Sequence, residues 1–319
     1  MKSLAAALAL LLAAPSFAAP DLSAEALLRD HLWREVRMAP TNRRPKVGLV
    51  LSAGSLRGVA HVGVIQALED AGFPIDSVSG TSMGAVMGAL YASGMPVKRL
   101  HEFASTIKVG SSNNLNSARL ISLLLFDKLL SSEKTEIMLR KGIGDIRFDQ
   151  LLKPFACVAM DVYTGEAIIF RDGDVAKAVR ASMNLPGIFK PLEYRHRFLV
   201  DGGVVDYIPV DAARLLGAEW TLASVTETDY TTSRPKNVLE SLIQVIDIRG
   251  SYLSRQQRKQ ADFIIEPPVG DIGMFEDHRI GEAMEKGLIT ASARVQAAEE
   301  SLILASIEKL SGAWVKAPK

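Results

Sequence analysis

The sequence predicts an α/β fold with a mostly parallel central sheet. Two patterns point there. From residue 47 onward apolar strands alternate with helical stretches, and the strands are short continuous apolar runs of the kind buried on both faces. A third observation sets the scale: 319 residues with a hydrophobic fraction of 48% can bury a substantial core within one large domain.

Taken in order, residues 1–18, MKSLAAALALLLAAPSFA, join a basic Lys2 to an apolar run and the small-residue pattern Ser16-Phe17-Ala18. This is the signature of a secretory signal peptide cleaved after Ala18, so the mature protein is expected to be exported, periplasmic or secreted. Residues 19–46 read as an amphipathic helix, with Leu22, Leu27, Leu28, Leu32 and Trp33 at helical spacing, and then a linker marked by Pro40 and Pro45. Arg43, Arg44 and Lys46 give that linker a basic cluster, read as solvated.

Residues 47–319 form the main domain, with a helical C-terminal part. KVGLVLS opens it as a buried strand, a helical period runs from Gly58 to Asp70, and AGFP stops it. IDSVSG is a second strand and SMGAVMGALYASG a second helix, rich in small residues. The stretch SARLISLLLFDKLLSSEK (117–134) is the most apolar piece of the mature chain. It reads as a core helix or, more sharply, as a flap over an active site that touches lipid. FACVAMDV and EAIIFRDG are two further strands, VAKAVRASM a helix, RFLVDGG a strand running into a turn, and GAEWTLASVTE another buried strand. From NVLESLIQVIDI to SARVQAAEESLILASIEKL the chain is largely helical, interrupted by the strand-like ADFIIEPP.

Composition excludes several function classes. A formal net charge of +1 leaves no electrostatic footprint for nucleic acid. The single Cys157, inside FACVAMDV, has no intramolecular partner and reads as a small buried hydrophobe. The five histidines are scattered without metal-ligand spacing, so neither a metal nor another cofactor is expected.

The chemistry concentrates in two places. Gly80-Thr81-Ser82-Met83-Gly84 matches G-x-S-x-G between an apolar strand and a small-residue helix, the setting in which a serine projects from a tight strand-to-helix turn. Serine is a weak nucleophile without a base in reach. One candidate base is His278, the only histidine that follows a plausible acid in the order Ser, Asp, His; the other is a carboxylate acting directly from a site that excludes water. Asp201, which ends an apolar strand before Gly202-Gly203, offers that carboxylate, and Asp206 competes with it. Ligand crevices lie at the carboxyl ends of parallel strands, where both Ser82 and Asp201 are expected to sit.

Together GLVLSAGSLRGVAHVGVIQALED, VSGTSMGAVMGALYASG, MDVYTGEAIIFRDGDVAKAVRASMNLPGIFKPL and LVDGGVVDYIPV resemble a patatin-like phospholipase of the bacterial branch akin to neuropathy target esterase. The resemblance covers roughly residues 47 to 290 in consistent order. It implies a three-layer α/β/α fold and hydrolysis of phospholipid or lysophospholipid acyl esters at a membrane or micelle surface, with Ser82 as nucleophile and Asp201 as proton acceptor. It also implies an oxyanion loop, usually G-G-G-x-R/K-G, which falls here on Ala53, Gly54, Ser55, Leu56, Arg57 and Gly58. Two of the three leading glycines are replaced. If Ser55 must adopt a positive φ, the conformation costs on the order of 1 kcal/mol. Arg57 is expected to hold the loop or to favour an anionic intermediate, unless it makes only a surface salt bridge, and His61 is expected to be a packing residue. The loop lacks the lysine and following Ser/Thr of a phosphate-binding P-loop, so no nucleotide is expected. The competing class is a lipid-binding or partner-binding protein on the same fold, with catalysis weakened by the altered loop.

Overall fold

The computed structural model describes residues 23–107, 131–231, 234–235 and 238–314. Residues 1–18, expected to be a signal peptide, and all but the last four residues of the apolar stretch 117–134 lie outside the described residues.

The centre is an eight-stranded sheet: β1 (Val47–Leu51), β2 (Ser77–Thr81), β3 (Phe155–Asp161), β4 (Ala167–Phe170), β5 (Leu192–Tyr194), β6 (Arg197–Asp201), β7 (Trp220–Ser224) and β8 (Phe263–Ile265). The order is β5-β6-β3-β2-β1-β7-β8, with β4 also pairing β3. The block β3-β2-β1-β7-β8 is parallel throughout, and β4, β5 and β6 pair antiparallel.

β1 shows why the parallel strands read as continuous apolar runs. Val47, Leu49 and Leu51 enter one core while Val50 enters another on the opposite face, so both registers of the pleat are buried. The larger core holds α1 (Ala24–Met38), α2 (Ala60–Asp70), α3 (Met83–Ala92), α4 (Val97–Ser105), α5 (Glu133–Ile143), α6 (Val175–Ser182) and α9 (Ile280–Trp314). The smaller core holds α7 (Val210–Leu215) and the inner side of α8 (Val238–Gln257). Helices on both faces make three layers. Every residue of α3 is buried, because its glycines and alanines let it lie close against β1, β2 and β3.

The N-terminal helix shares this core: Trp33 packs at a tilt against Phe73, and Phe73 against Trp220, at ring separations of 5.3 and 5.8 Å. The basic cluster after it is not all solvated. Arg44 is buried and donates to both carboxylate oxygens of Asp76 at 2.6 and 2.9 Å, since Asp76 also accepts the Val47 N–H that starts β1 and needs a counter-charge there.

One expectation is corrected. β6, which carries Asp201, runs antiparallel to β3. Cys157 and Val158 pair with both β2 and β4, so those two strands occupy opposite edges of β3. Ala159 and Met160 pair with both β4 and β6, so β6 takes the edge that β2 has just left. The strands therefore meet head-on. β2 ends with Thr81 opposite Val158, and β6 comes the other way to end with Asp201 opposite Ala159.

Candidate active site

Two carboxyl-terminal strand ends that meet head-on must put their next groups in contact, and these are Ser82 and Asp201. Ser82 Oγ donates to Asp201 Oδ2 at 2.6 Å, with both residues buried. Ser82 has φ 55° and ψ −122°, a left-handed backbone that costs a non-glycine residue about 1–3 kcal/mol. That turn swings the hydroxyl off the strand end. It closes only because the flanking residues lack a Cβ: one on Gly80 would strike the Gly84 carbonyl, and one on Gly84 the Leu51 carbonyl. The Ser82 N–H donates to Ser182 Oγ at 2.9 Å. Met183 Sδ lies 3.8 Å from Ser82 Oγ.

Asp201 is fixed from three sides. Its Oδ1 accepts the Gly203 N–H at 2.8 Å and its own N–H donates to the Asn184 carbonyl at 2.9 Å. Asn184 in turn clamps the carbonyls of Lys190 and Leu199 with its amide nitrogen. Burial pushes the Asp201 carboxyl up from 3.8 to about 6, with the hydrogen bonds from Ser82 and Gly203 opposing the rise. The group is thus ionised at neutral pH yet basic enough to receive a proton.

The glycine-poor loop follows β1 beside this pair. The Ala53 N–H is taken by the Tyr207 carbonyl at 2.9 Å, so position 53 has no free donor. The N–H groups of Gly54 and Ser55 make no hydrogen bond among the described residues. Gly54 is required: a Cβ there would overlap Thr226 Oγ1. Ser55 has φ 49° and so carries the left-handed conformation considered above for that position. Gly58 lies where a side chain would press on Met83.

Beneath the loop runs a buried polar network. The Ala53 carbonyl accepts from Ser52 Oγ at 2.7 Å and Thr226 Oγ1 at 3.2 Å, and Tyr207 donates to the Thr226 carbonyl at 2.8 Å. His61 Nε2 lies 3.0 Å from the Ser52 carbonyl, which can only accept, so that nitrogen carries the proton and Nδ1 accepts from Ser224 Oγ at 2.8 Å. Burial lowers the His61 imidazole to about 4 against the raising effect of the Ser52 carbonyl, keeping it neutral. His61 is therefore a structural support of the loop and does not contact Ser82.

Other candidates lie elsewhere. His278 is exposed in a short turn and makes no hydrogen bond to Ser82. Asp206 is held by Gln257 at 2.9 Å; burial first, and then the Asp211 charge, raise it to about 6. Arg57 is no surface residue. It is fully buried, donating to the Ile272 carbonyl at 3.0 Å and to Asp247 at 3.1 Å, and so ties the loop to α8. Cys157 is buried in β3, and burial pushes its thiol up. Ser182, Asn184, Thr226 and Asp247 are absent from any motif, and the only sequence hint was the polar break Ser182-Met183-Asn184 after an apolar helix.

The cavity at the pair has a volume of about 20 Å³, room for about one water molecule, lined by Gly54, Ser55, Leu185, Val204 and Ile246 among others. A larger one of about 200 Å³ shares Asp247 with it and is lined also by Arg57.

The sequence model of a family described as patatin-like phospholipase matches residues 49–214, just over half of the chain. The chain belongs to the patatin-like phospholipase family. Among its relatives, an uncharacterised NTE family protein of Mycobacterium tuberculosis is 37% identical over 180 residues, covering 56% of this chain and 48% of its own length. The mouse patatin-like phospholipase domain-containing protein 6 is 32% identical over 192 residues, covering 58% of this chain and 14% of its own. These names agree with the neuropathy-target-esterase-like branch of the patatin-like family. The chain spans about half the length of the mycobacterial relative and a much smaller share of the mouse one. Among solved structures, VipD from Legionella pneumophila shares the patatin-like fold with a TM-score of 0.50 at 13% identity, covering 82% of this chain and 68% of its own.

Proposed function

We propose that the protein is a serine acyl hydrolase of lipid esters that works through a Ser82–Asp201 dyad and an acyl-enzyme. The observation that carries this reading is the 2.6 Å hydrogen bond from Ser82 Oγ to a buried carboxylate that stays ionised at neutral pH. As Oγ attacks the ester carbonyl carbon, its proton passes to Asp201 Oδ2. The resulting oxyanion is received by the unpaired N–H groups of Gly54 and Ser55, each such donor contributing about 10²–10³ in rate. Collapse expels the alcohol, which takes the proton from Asp201. Water then attacks the acyl-Ser82 carbonyl, giving its proton to Asp201, and the fatty acid leaves as Ser82 is reprotonated.

The cation–carboxylate tie between Arg57 and Asp247 holds the loop in register for this role. Phospholipid and lysophospholipid esters at a membrane or micelle surface are the substrates that the family points to, and the N-terminal leader supports export to the periplasm or beyond.

A fluorophosphonate probe tests the reading. Labelling that disappears in Ser82→Ala, with hydrolysis of a phospholipid and lysophospholipid panel that disappears in Asp201→Asn, is expected. Absence of labelling in well-folded protein would favour the second reading, a lipid-binding or partner-binding protein. One observation speaks for that alternative: a lipid ester does not fit the cavity at Ser82 unless Leu185, Val204 or Ile246 moves.

A further inference from the structure

α8 is the helix that separates the candidate site from the outside, and its charges are sorted between its two sides. Ile246 and Asp247 line the cavity at Ser82, and Glu240, Ile243 and Asp247 line the larger cavity beside it. Both of the helix's carboxylates thus face cavities. Its two arginines, Arg249 and Arg255, are exposed. Between them an apolar stripe runs at seven-residue spacing: Val238, Val245 and Tyr252 are 74%, 59% and 58% exposed, with Leu242 on the same side. Seven residues make nearly two full turns, so these side chains lie in one line along a helix about 30 Å long.

A soluble helix normally turns such a stripe into the core. Here the inner side of the helix is already occupied: Gly250 packs on Tyr207 and Ile243 is buried. The outer stripe is left to something beyond the described residues. Aliphatic side chains along the middle, a tyrosine towards one end and guanidinium groups with no carboxylate among them are the composition of a helix that lies in the interface of a lipid layer. Tyr252 has Arg255 stacked 5.7 Å from its ring, a pairing that holds an amphipathic ring and a cation at the same depth.

We infer that the outer face of α8 is the surface by which this protein docks on an anionic lipid layer, an inference that rests on the lipid-hydrolase reading of Ser82. The argument for lipid is the charge complementarity together with position. Val245 neighbours Ile246, so the docked layer lies one helix thickness from the nucleophile, about 10 Å.

Vesicle sedimentation with the Ser82→Ala protein tests the docking without digesting the lipid. The protein is expected to bind vesicles of equal parts phosphatidylcholine and phosphatidylglycerol, to bind pure phosphatidylcholine much less, and to be released by high salt. Val238→Glu with Val245→Glu should weaken binding roughly tenfold or more, and Arg255→Glu should remove most of the preference for anionic vesicles. Melting temperatures check that the variants are folded. The inference is overturned if folded variants bind as tightly as their parent, if binding ignores lipid charge, or if the glutamates instead convert a dimer to a monomer in ultracentrifugation with vesicle binding intact. Because Ser82→Ala cannot turn over, this result is independent of the fluorophosphonate test: absence of labelling in the well-folded unmutated protein would sink the hydrolase reading with docking unaffected.

Discussion

Replacing Asp201 by asparagine should abolish activity and stabilise the fold, and the two effects share one cause. Burial raises the Asp201 carboxyl from 3.8 to about 6. At neutral pH the native state therefore holds a charge it would shed if it could, a cost of about 3 kcal/mol. The sign follows from linkage. A carboxylate whose folded pKa exceeds its unfolded value contributes its stability fully below about pH 4 and loses it progressively until pH passes about 6. Asp201→Asn removes the charge and keeps the shape. The amide oxygen can still accept the Gly203 N–H and the amide nitrogen can donate to Ser82 Oγ. At pH 7.5 the variant should melt roughly 5 °C above the parent for a chain of this size, and near pH 4 the difference should shrink to almost nothing. In the same experiment the parent's kcat/KM should fall about tenfold per pH unit below about 6, as the base is protonated. Scanning calorimetry at the two pH values is the assay. A variant that melts at or below the parent at pH 7.5, or a difference that does not depend on pH, would show that the carboxylate carries no burial penalty and refute the reasoning.

Four further substitutions probe the loop and its supports. Ser55→Gly relieves the positive φ and should stabilise by about 0.5–1 kcal/mol in denaturant melts without lowering turnover; a clear loss of turnover would show that the serine side chain is needed. His61→Leu leaves the Ser52 carbonyl and Ser224 hydroxyl without partners and should cost about 2–4 kcal/mol. It should also reduce kcat with the acidic limb near pH 6 unmoved, since the imidazole is lowered to about 4 and does not generate that limb. Arg57→Met strands Asp247 beside the cavity and should destabilise by about 3–5 kcal/mol, measured by urea unfolding, with Asp247→Asn costing less.

Much of this fold is legible in the sequence because β1, β3 and β7 are buried on both faces and so appear as largely apolar runs. The direction of β6 is not legible. It is set by the hairpin from β5, whose turn residues Arg195 and His196 both take positive φ, 53° and 60°, a job that sequence patterns assign to Asn-Gly or Gly. With that turn invisible, the sequence carries no mark of β5, and β6 reads as one more parallel strand. Ser82 and Asp201 stand out because each must bring glycines with it. Ser182, Thr226 and Ser224 do not, because a lone small hydroxyl in an apolar run has no spacing rule; only the folded sheet edge brings them together. Arg44 looks like a surface charge for the same reason, since its partner Asp76 is distant in the chain.

The energetics of the site bear on the choice between a hydrolase and a binding protein. Three unfavourable features gather around one hydroxyl: a left-handed serine at position 82, a left-handed serine at position 55, and a buried ionised carboxylate. Each costs about 1–3 kcal/mol, a large share of the net stability of a typical domain. A lipid-binding cavity has no use for any of them. Alanine at the elbow would leave no hydroxyl to position, asparagine at 201 would remove the charge, and glycine at 55 would relax the loop. A nucleophile needs the first to project Oγ from the strand end and the third to take its proton. A loop donor needs only the positive φ at position 55, which a glycine would supply at lower cost. The strain lies at the ends of β1, β2 and β6, where the apolar rows of the sheet hold both sides of each turn, so the cost is borne by the part of the fold best able to hold it in place.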